Sequence, residues 1–178
     1  KLLEKTTDIK TYLKSLKMKM KVESCRYDNL DRVDQMIQKT NQFNLTTKRI
    51  KKNEVFKIIK NKKNYSVNIL SLKDKFGDYG ICGLSIISIK KKCAYFDIFL
   101  MSCRVIGRDV EKAFLIKIMK DVYSKNKVNL FYGIFVPTKK NSQVKNFYLN
   151  NGFKKVKNKK KKDKFFIKKA KELRTKEK

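Results

Sequence analysis

The segment that most constrains the fold is an apolar run that passes through a short turn into an amphipathic helix. Residues 97–101 resemble a strand, the turn that follows contains one glycine, Gly107, and apolar residues recur at helical spacing from Val110 to Val122. The first turn of a helix carries free N–H groups and the positive end of the helix dipole, so a phosphate can bind there. The sequence therefore predicts an anion site that is built largely from backbone.

The composition indicates a folded chain with a strong positive charge. Of the 178 residues 41% are hydrophobic, and 47 basic against 16 acidic residues give a formal net charge of +31. Such a charge attracts nucleic acid and other polyanions. However, 41 of the 47 basic residues are lysine, whereas proteins that read nucleic acid typically use arginine for bidentate contacts. We interpret most of the charge as solvated surface and expect no specific nucleic-acid site.

The absence of histidine and the spacing of the four cysteines exclude several kinds of site. Without histidine there is no Ser-His or Cys-His catalytic pair, and without a C-x-x-C pair we expect no zinc site. We interpret the cysteines as reduced thiols in the core of a cytoplasmic protein. No apolar run reaches the ~18 residues that a membrane-spanning helix needs, and we expect no membrane partner.

Hydrophobic periodicity predicts an α/β sandwich. The predicted elements, in chain order, are a helical lead-in (1–16), a strand (17–26), a helix capped by Asp28, a helix from Thr47 or Asn53 to Ile59, strands at 65–72, 81–89 and 93–100, a helix from Val110, a strand at 128–136, a helix from Asn141, and a hairpin of 153–156 with 165–167. We expect one domain at 17–168, a charged tail at 169–178, and a lead-in that links to a missing upstream domain.

Five segments of the chain resemble, in the same order, segments of a known protein family. They are Tyr12-Leu13-Lys14-Ser15-Leu16, Phe43-Asn44-Leu45-Thr46-Thr47-Lys48-Arg49, Phe76-Gly77-Asp78-Tyr79-Gly80-Ile81, Phe99-Leu100-Met101-Ser102-Cys103-Arg104-Val105-Ile106-Gly107-Arg108 and Pro137-Thr138-Lys139-Lys140-Asn141. Together they resemble the C-terminal GNAT-like acyltransferase domain of FkbH-like proteins, which form subfamily IIIC of the HAD superfamily. The likeness covers roughly residues 12–156. The HAD aspartate motif is absent from this chain, so HAD chemistry is not assigned to it.

The resemblance implies the GNAT fold, a mixed and mostly antiparallel sheet flanked by helices. It implies an acyltransferase that uses acetyl-CoA, another acyl-CoA or a phosphopantetheine thioester. The expected partners are an acyl carrier protein or a small-molecule acceptor, together with an upstream HAD-type domain. The residues that we assign to the cofactor on this basis are Phe99, Leu100 and Met101 for pantetheine, Arg104, Val105, Ile106, Gly107, Arg108, Asp109 and Val110 for the pyrophosphate, and Asn141.

One residue of the turn departs from the family pattern. The spacing Arg104-x-x-Gly107-x-Asp109 places an aspartate where the family has glycine or alanine. A carboxylate beside a pyrophosphate is repelled by on the order of 1 kcal/mol even when well solvated. Either Arg104 and Arg108 offset this charge, or Asp109 caps the helix and occupies the anion site itself, which would weaken CoA binding.

Two residues are candidates for the proton transfers that acyl transfer requires. Tyr148 lies where many GNAT enzymes have a tyrosine that protonates the CoA sulfur, and its alternative is a packed aromatic residue beside Phe147. Asp97 is the candidate base and points either into a cleft or to solvent. Two other functions stay open, a non-catalytic GNAT-like module that binds an acyl carrier protein and, less favoured, a basic nucleic-acid-binding module.

Overall fold

The computed structural model describes residues 11–156 and 164–173. Within them the strands are β1 (Lys19–Ser24), β2 (Phe43–Asn44), β3 (Tyr65–Asp74), β4 (Gly77–Lys90), β5 (Cys93–Met101), β6 (Leu130–Phe135), β7 (Lys154–Val156) and β8 (Lys164–Lys169). The α-helices are α1 (Leu30–Lys39), α2 (Lys52–Lys60), α3 (Val110–Asn126) and α4 (Phe147–Asn150). No helix of the described ranges is long and apolar enough to cross a membrane.

All the strands belong to one mixed sheet. Its order is β1-β3-β4-β5-β6-β8-β7, and β2 lies off this path and pairs with β5. Among the described strands only β5 and β6 run parallel, while the other pairs are antiparallel. The prediction of a mixed, mostly antiparallel sheet flanked by helices is confirmed.

Helices cover the two faces of the sheet with separate apolar cores. On one face α3 and α4 contribute Phe114, Ile118 and Tyr148 to a core that includes Phe96 and Phe99 of β5. On the other face the core contains residues of α1 and α2 together with Ile98 and Leu100 of β5. From Ile98 to Met101 the residues of β5 therefore alternate between the two cores, as the pleat of a strand that is buried on both faces requires. Phe96 and Phe99 face the same core although they are three residues apart, so this alternation is interrupted between them.

Three predictions about local structure need correction. The 3-10 turn Tyr27–Asn29 precedes α1, so that Asp28 is not its cap, and the Asn29 side chain accepts a hydrogen bond from the Arg26 amide (3.0 Å). Gly77–Gly80, predicted as a turn, belongs to β4. Cys103 is exposed, unlike the buried Cys25 and Cys82, so it is not a core thiol.

The remaining predicted elements agree with the structure within a few residues. The hairpin of β7 and β8 is confirmed, and the segment at 43–44, predicted as part of a helix break, is a strand. Most of the predicted lead-in (residues 1–10), the lysine-rich tip at 157–163 and the end of the charged tail (174–178) lie outside the described residues. The domain bounds stay a prediction.

Candidate active site

Strand β5 changes its partner at Asp97. Ile87 pairs with Phe96 and Ile86 pairs with Ile98, so that Asp97 has no partner on β4 and forms a β-bulge. Before the bulge, residues 93–95 pair in parallel with residues 130–132 of β6. Because a bulge bends a strand and increases its local twist, β5 separates from β6 after Asp97. We call the gap between residues 97–101 and the end of β6 the wedge.

The wedge is filled by β2 and the two residues that follow it. Phe43 and Asn44 pair with Met101 and Leu100. The Leu45 amide donates to the Phe99 carbonyl (3.1 Å), and the Val136 amide beyond β6 donates to the Leu45 carbonyl (2.8 Å). Phe99, Leu100 and Met101 were predicted to contact pantetheine, and in the structure the chain itself pairs along these residues.

Two side chains, those of Thr46 and Asn141, make further hydrogen bonds that hold this segment in the wedge. The Thr46 hydroxyl donates to the Asp97 carbonyl (2.9 Å). The Asn141 side chain is fully buried and donates to the carbonyls of Asn44 (3.0 Å) and Val136 (2.9 Å), and it accepts from the Thr138 amide (2.8 Å). Asn141 was predicted as a cofactor contact, but in the structure all these bonds are within the chain and it connects β2 to the end of β6.

The turn after β5 leads directly into α3, as predicted. The 3-10 turn Cys103–Val105 is followed by Gly107, whose φ of +80° lies in the left-handed region that favours glycine. Asp109 precedes α3 with φ 59° and ψ 5°, and its exposed carboxylate makes no capping hydrogen bond. The alternative in which Asp109 itself occupies the anion site is therefore not what the structure shows.

A different carboxylate lies in the turn. Glu111 Oε1 accepts a hydrogen bond from the Gly107 amide (3.3 Å), and Oε2 is buried with no hydrogen-bond partner among the described residues. Burial raises the pKa of Glu111, which the amides of Glu111 and Gly107 counteract in part. Sequence reasoning missed this residue, although its place four residues after Gly107, in the first turn of α3, was a usable signal.

The two arginines of the turn have different surroundings. Arg108 forms an ion pair with Asp74 (2.9 Å), donates to the Tyr79 hydroxyl (3.0 Å) and lies over the Tyr79 ring at 4.9 Å. Arg104 is exposed and donates to the Tyr79 carbonyl (3.2 Å). None of these contacts of Arg104 and Arg108 involves Asp109. Of the other predicted turn residues, Val105 and Val110 are buried and Ile106 is half-buried, which leaves their backbone as the group that can face a ligand.

Tyr148 lies beside the start of the wedge, on the face that α3 and α4 cover. Its ring packs against Phe96 of β5, with ring centroids 6.1 Å apart, and against Gly133 of β6, where an added Cβ would come within 2.6 Å of the ring. The ring is 1% exposed, and burial raises the pKa of Tyr148. The hydroxyl faces the Ile134 backbone, without a hydrogen bond of ordinary geometry among the described residues. Tyr148 thus stays protonated.

Asp97 lies on the opposite face. Its side chain is half-buried beside Ser88, which shares a cross-strand row with Tyr95. Burial raises the pKa of Asp97, whereas the Ser88 hydroxyl and the charges of Lys48 and Lys90 act in the opposite direction. The two candidate proton-transfer residues therefore flank the wedge from opposite faces and do not form a pair. No cluster of metal-ligating side chains occurs within the described ranges.

Comparison with solved structures identifies this architecture. The ribosomal-protein-S18-alanine N-acetyltransferase of Escherichia coli superposes with a TM-score of 0.62 at 9% identity, over 85% of this chain and 94% of that one. A spermidine N-acetyltransferase variant from Vibrio cholerae gives 0.66 at 10% identity, over 88% and 96%. An acetyltransferase of the GNAT family from Staphylococcus aureus Mu50 gives 0.59 at 12%, over 85% and 99%. The chain has the GNAT acetyltransferase fold.

At this level of identity the likeness is one of GNAT fold. No family model matches the chain, and no curated protein matches it. The superposition therefore supports the predicted architecture, whereas the roles of the individual residues rest on the geometry of the wedge and the turn.

Proposed function

We propose that the domain is an acyltransferase that uses an acyl-CoA or acyl-phosphopantetheine thioester. The observation that carries this proposal is the bulge at Asp97, which separates β5 from β6 immediately before the glycine turn and the start of α3. This arrangement provides a strand edge on which an extended arm can replace β2 and, at the end of that strand, backbone amides for phosphates. The GNAT fold of the chain agrees with this activity.

The residues present fit the two ends of such a donor to different degrees. At the turn, no heavy atom lies within 4 Å of the position of an added Cβ at Gly107, so a diphosphate can approach the backbone. Glu111 must then lose its contact with the Gly107 amide or bind a proton. In the wedge, β2 shows that the gap has the width of one extended chain, and a pantetheine arm fits there once β2 has left.

The residues around the wedge have distinct roles in this proposal. A bound thioester supplies an activated acyl carbon. Asp97, half-buried on one face, accepts the proton of the acceptor, and its raised pKa makes it a stronger base than an exposed aspartate. Tyr148, on the other face, holds its proton and donates a hydrogen bond toward a departing thiolate. Base and acid thus act from opposite faces of the sheet.

The acceptor, the partners and the location are also proposals. The similar enzymes are named for acetyl transfer to a ribosomal protein and to spermidine, which supports nitrogen acceptors first, before oxygen or sulfur. The resemblance of the five ordered segments to FkbH-like proteins supports a carrier-protein thioester as donor and a HAD-type partner domain. A cytoplasmic protein accords with these partners.

A second candidate function is a non-catalytic module that binds an acyl carrier protein. Two observations favour it. The wedge is filled by β2, and the Glu111 carboxylate occupies the amide of the glycine turn. A module of this kind would bind the acyl carrier protein without transferring its acyl group.

Release of free thiol from acetyl-CoA in the presence of a panel of amines tests the proposal, with calorimetry of CoA binding in parallel. We expect Asp97→Asn to lower the rate by about 100-fold or more, the range for loss of a general base, with CoA affinity unchanged. The matched control is Asp78→Asn, an exposed aspartate paired with Lys73. Binding without any turnover would contradict the acyltransferase and favour the non-catalytic module. Failure to bind both CoA and a phosphopantetheine-loaded carrier would contradict both functions.

A further inference from the structure

A basic cleft of about 610 Å³ lies beside the site, between α1, the loop that follows α1 and the turn after β5. Its walls include Arg32, Gln35 and Lys39 of α1 and Ser102 and Arg104 of the turn, and no acidic side chain is among the residues that line it. Phe43 also lines the cleft, so that the cleft opens where the chain enters the wedge. A ligand in it would therefore lie close to the proposed donor arm.

The presence of arginine in this cleft is not explained by the composition of the chain. The chain has 41 lysines and six arginines, yet two of those six, Arg32 and Arg104, line this one cleft. Lysine and arginine carry the same charge, but only arginine offers a planar set of donors that matches a carboxylate or phosphate. The choice of residue thus points to hydrogen-bond geometry rather than to charge alone.

Both arginines are anchored to the same strand. Arg32 Nε donates to the Ile81 carbonyl (3.1 Å), and Arg104 Nη2 donates to the Tyr79 carbonyl (3.2 Å). These carbonyls lie two residues apart on β4, about 7 Å along a strand, and beyond the pairing of β4 with β5, which ends at Gly83 and Met101. The two guanidinium groups are therefore held in place before any ligand binds.

Each guanidinium keeps donors that these anchors do not use. Arg32 donates from Nε to the Ile81 carbonyl and from Nη1 to the Gln35 side chain. Arg104 donates from Nη2 to the Tyr79 carbonyl and makes a long contact from Nε to the Ser102 hydroxyl (3.5 Å). Among the described residues, Nη2 of Arg32 and Nη1 of Arg104 have no hydrogen-bond acceptor. Two anchored groups with unused donors in one cleft form a receptor for an oxyanion.

We propose that this cleft binds the acceptor of the acyl group through a carboxylate or phosphate that the acceptor carries. The assignment to the acceptor rests on the proposed acyltransferase function, whereas oxyanion binding itself does not. The acceptor is then an amine, alcohol or thiol with an anionic group, unlike the polycation spermidine. The phosphates of the donor are the other source of the same chemistry, and the experiment separates the two.

Calorimetry with two matched amines tests the proposal. We expect phosphoethanolamine to bind at least about tenfold more tightly than ethanolamine, since hydrogen bonds to a charged group supply this difference. Arg32→Lys and Arg104→Lys each retain the charge, and we expect each to weaken phosphoethanolamine binding at least about fivefold. The matched control is Arg26→Lys, an exposed arginine outside this cleft, with the melting temperature of each variant as the measure of folding.

A second titration assigns the source of the oxyanion. Phosphoethanolamine should bind CoA-saturated protein as tightly as free protein, and Arg32→Lys should leave CoA affinity unchanged. Competition between phosphoethanolamine and CoA would overturn the acceptor assignment, and equal binding of the two amines, or indifference to both lysine variants, would overturn the cleft as an oxyanion site. A wild-type protein that fails to bind CoA but passes the amine test contradicts the proposed function alone.

Discussion

The two halves of β5 are both apolar, but they have different partners. Residues 93–95 pair with β6, a neighbour in the sheet, whereas residues 100–101 pair with the two-residue strand β2, which comes from a loop. Tyr95 in the first half is half-buried and stacks on Tyr132 at 4.8 Å, while Phe99, Leu100 and Met101 in the second half are fully buried. The bulge at Asp97 thus separates a part of β5 that pairs with the sheet from a part that borders a gap filled by β2.

The largest expected difference between the halves concerns stability. Phe99 contacts the rings of Phe43, Phe96, Phe114 and Phe147, so Phe99→Ala should lower the free energy of unfolding by about 3–5 kcal/mol, the usual cost of deleting a buried phenylalanine. Tyr95→Ala removes a half-exposed stack and should cost clearly less. Urea denaturation of both variants measures this, and equal losses would contradict the description of the second half as core.

The anchoring of β2 can be weakened without touching β5. Asn141→Ala leaves the buried carbonyls of Asn44 and Val136 without its donors and should cost about 1–3 kcal/mol. Because β2 competes with the donor arm in our account, the same variant should bind CoA more tightly than wild type. Asn151→Ala is the control, since among the described residues the Asn151 side chain donates only to the Phe147 carbonyl. Weaker CoA binding in Asn141→Ala alone would restore Asn141 as a direct cofactor contact.

At the turn, glycine should relieve backbone strain. Asp109 has φ 59°, a conformation that costs most residues roughly 1 kcal/mol or more and glycine little. Asp109→Gly should therefore raise the free energy of unfolding by somewhat less than about 1 kcal/mol, because aspartate tolerates this region better than most, and should improve CoA affinity by removing a negative charge. Chemical denaturation and calorimetry measure the two effects, and an unchanged or poorer CoA affinity would count against the charge argument.

The smallest effect is a dependence on pH. The pKa of Glu111 is raised above its ordinary 4.5 by burial, so the folded state holds a proton that the unfolded state has lost, and stability falls as the pH rises through the folded pKa. Glu111→Gln should remove this fall, with a higher melting temperature than wild type at pH 7 and no gain below pH 4.5. A gain of the same size at both pH values would assign the effect to packing rather than to charge.

How far the sequence predicts this site depends on the range of the interactions involved. The turn, α3 and a mixed, mostly antiparallel sheet follow from local periodicity and from ordered motif segments, and they agree with the structure. The bulge cannot be predicted in this way, because Phe96-Asp97-Ile98 has the pattern of an ordinary strand. Only the pairing with β4 shows that Asp97 lacks a partner there. The strand β2 spans two residues, which is too short for any periodicity, and it forms only through contacts distant in sequence.

The side chains of the site show the same limit. Asp109 was singled out because it departs from the motif, yet the carboxylate that accepts from the Gly107 amide is that of Glu111. A linear motif does not show which side chain folds back onto the turn. Asn141 was predicted as a cofactor contact, whereas its buried amide donates to the carbonyls of Asn44 and Val136. The sequence also did not indicate that Tyr148 packs against Phe96, the neighbour of Asp97, because this contact joins residues distant in sequence.

Hydrogen exchange at the Leu45 amide tests the central claim most directly. This amide donates to the Phe99 carbonyl while β2 occupies the wedge. In the proposed function, a thioester arm that binds along residues 97–101 displaces β2. We predict that saturation with acetyl-CoA makes the Leu45 amide exchange faster, whereas the Cys25 amide, which donates to Val67 at the far end of the sheet, keeps its rate. Bound acetyl-CoA with full protection of Leu45 would contradict the claim that β2 and the donor arm share the wedge.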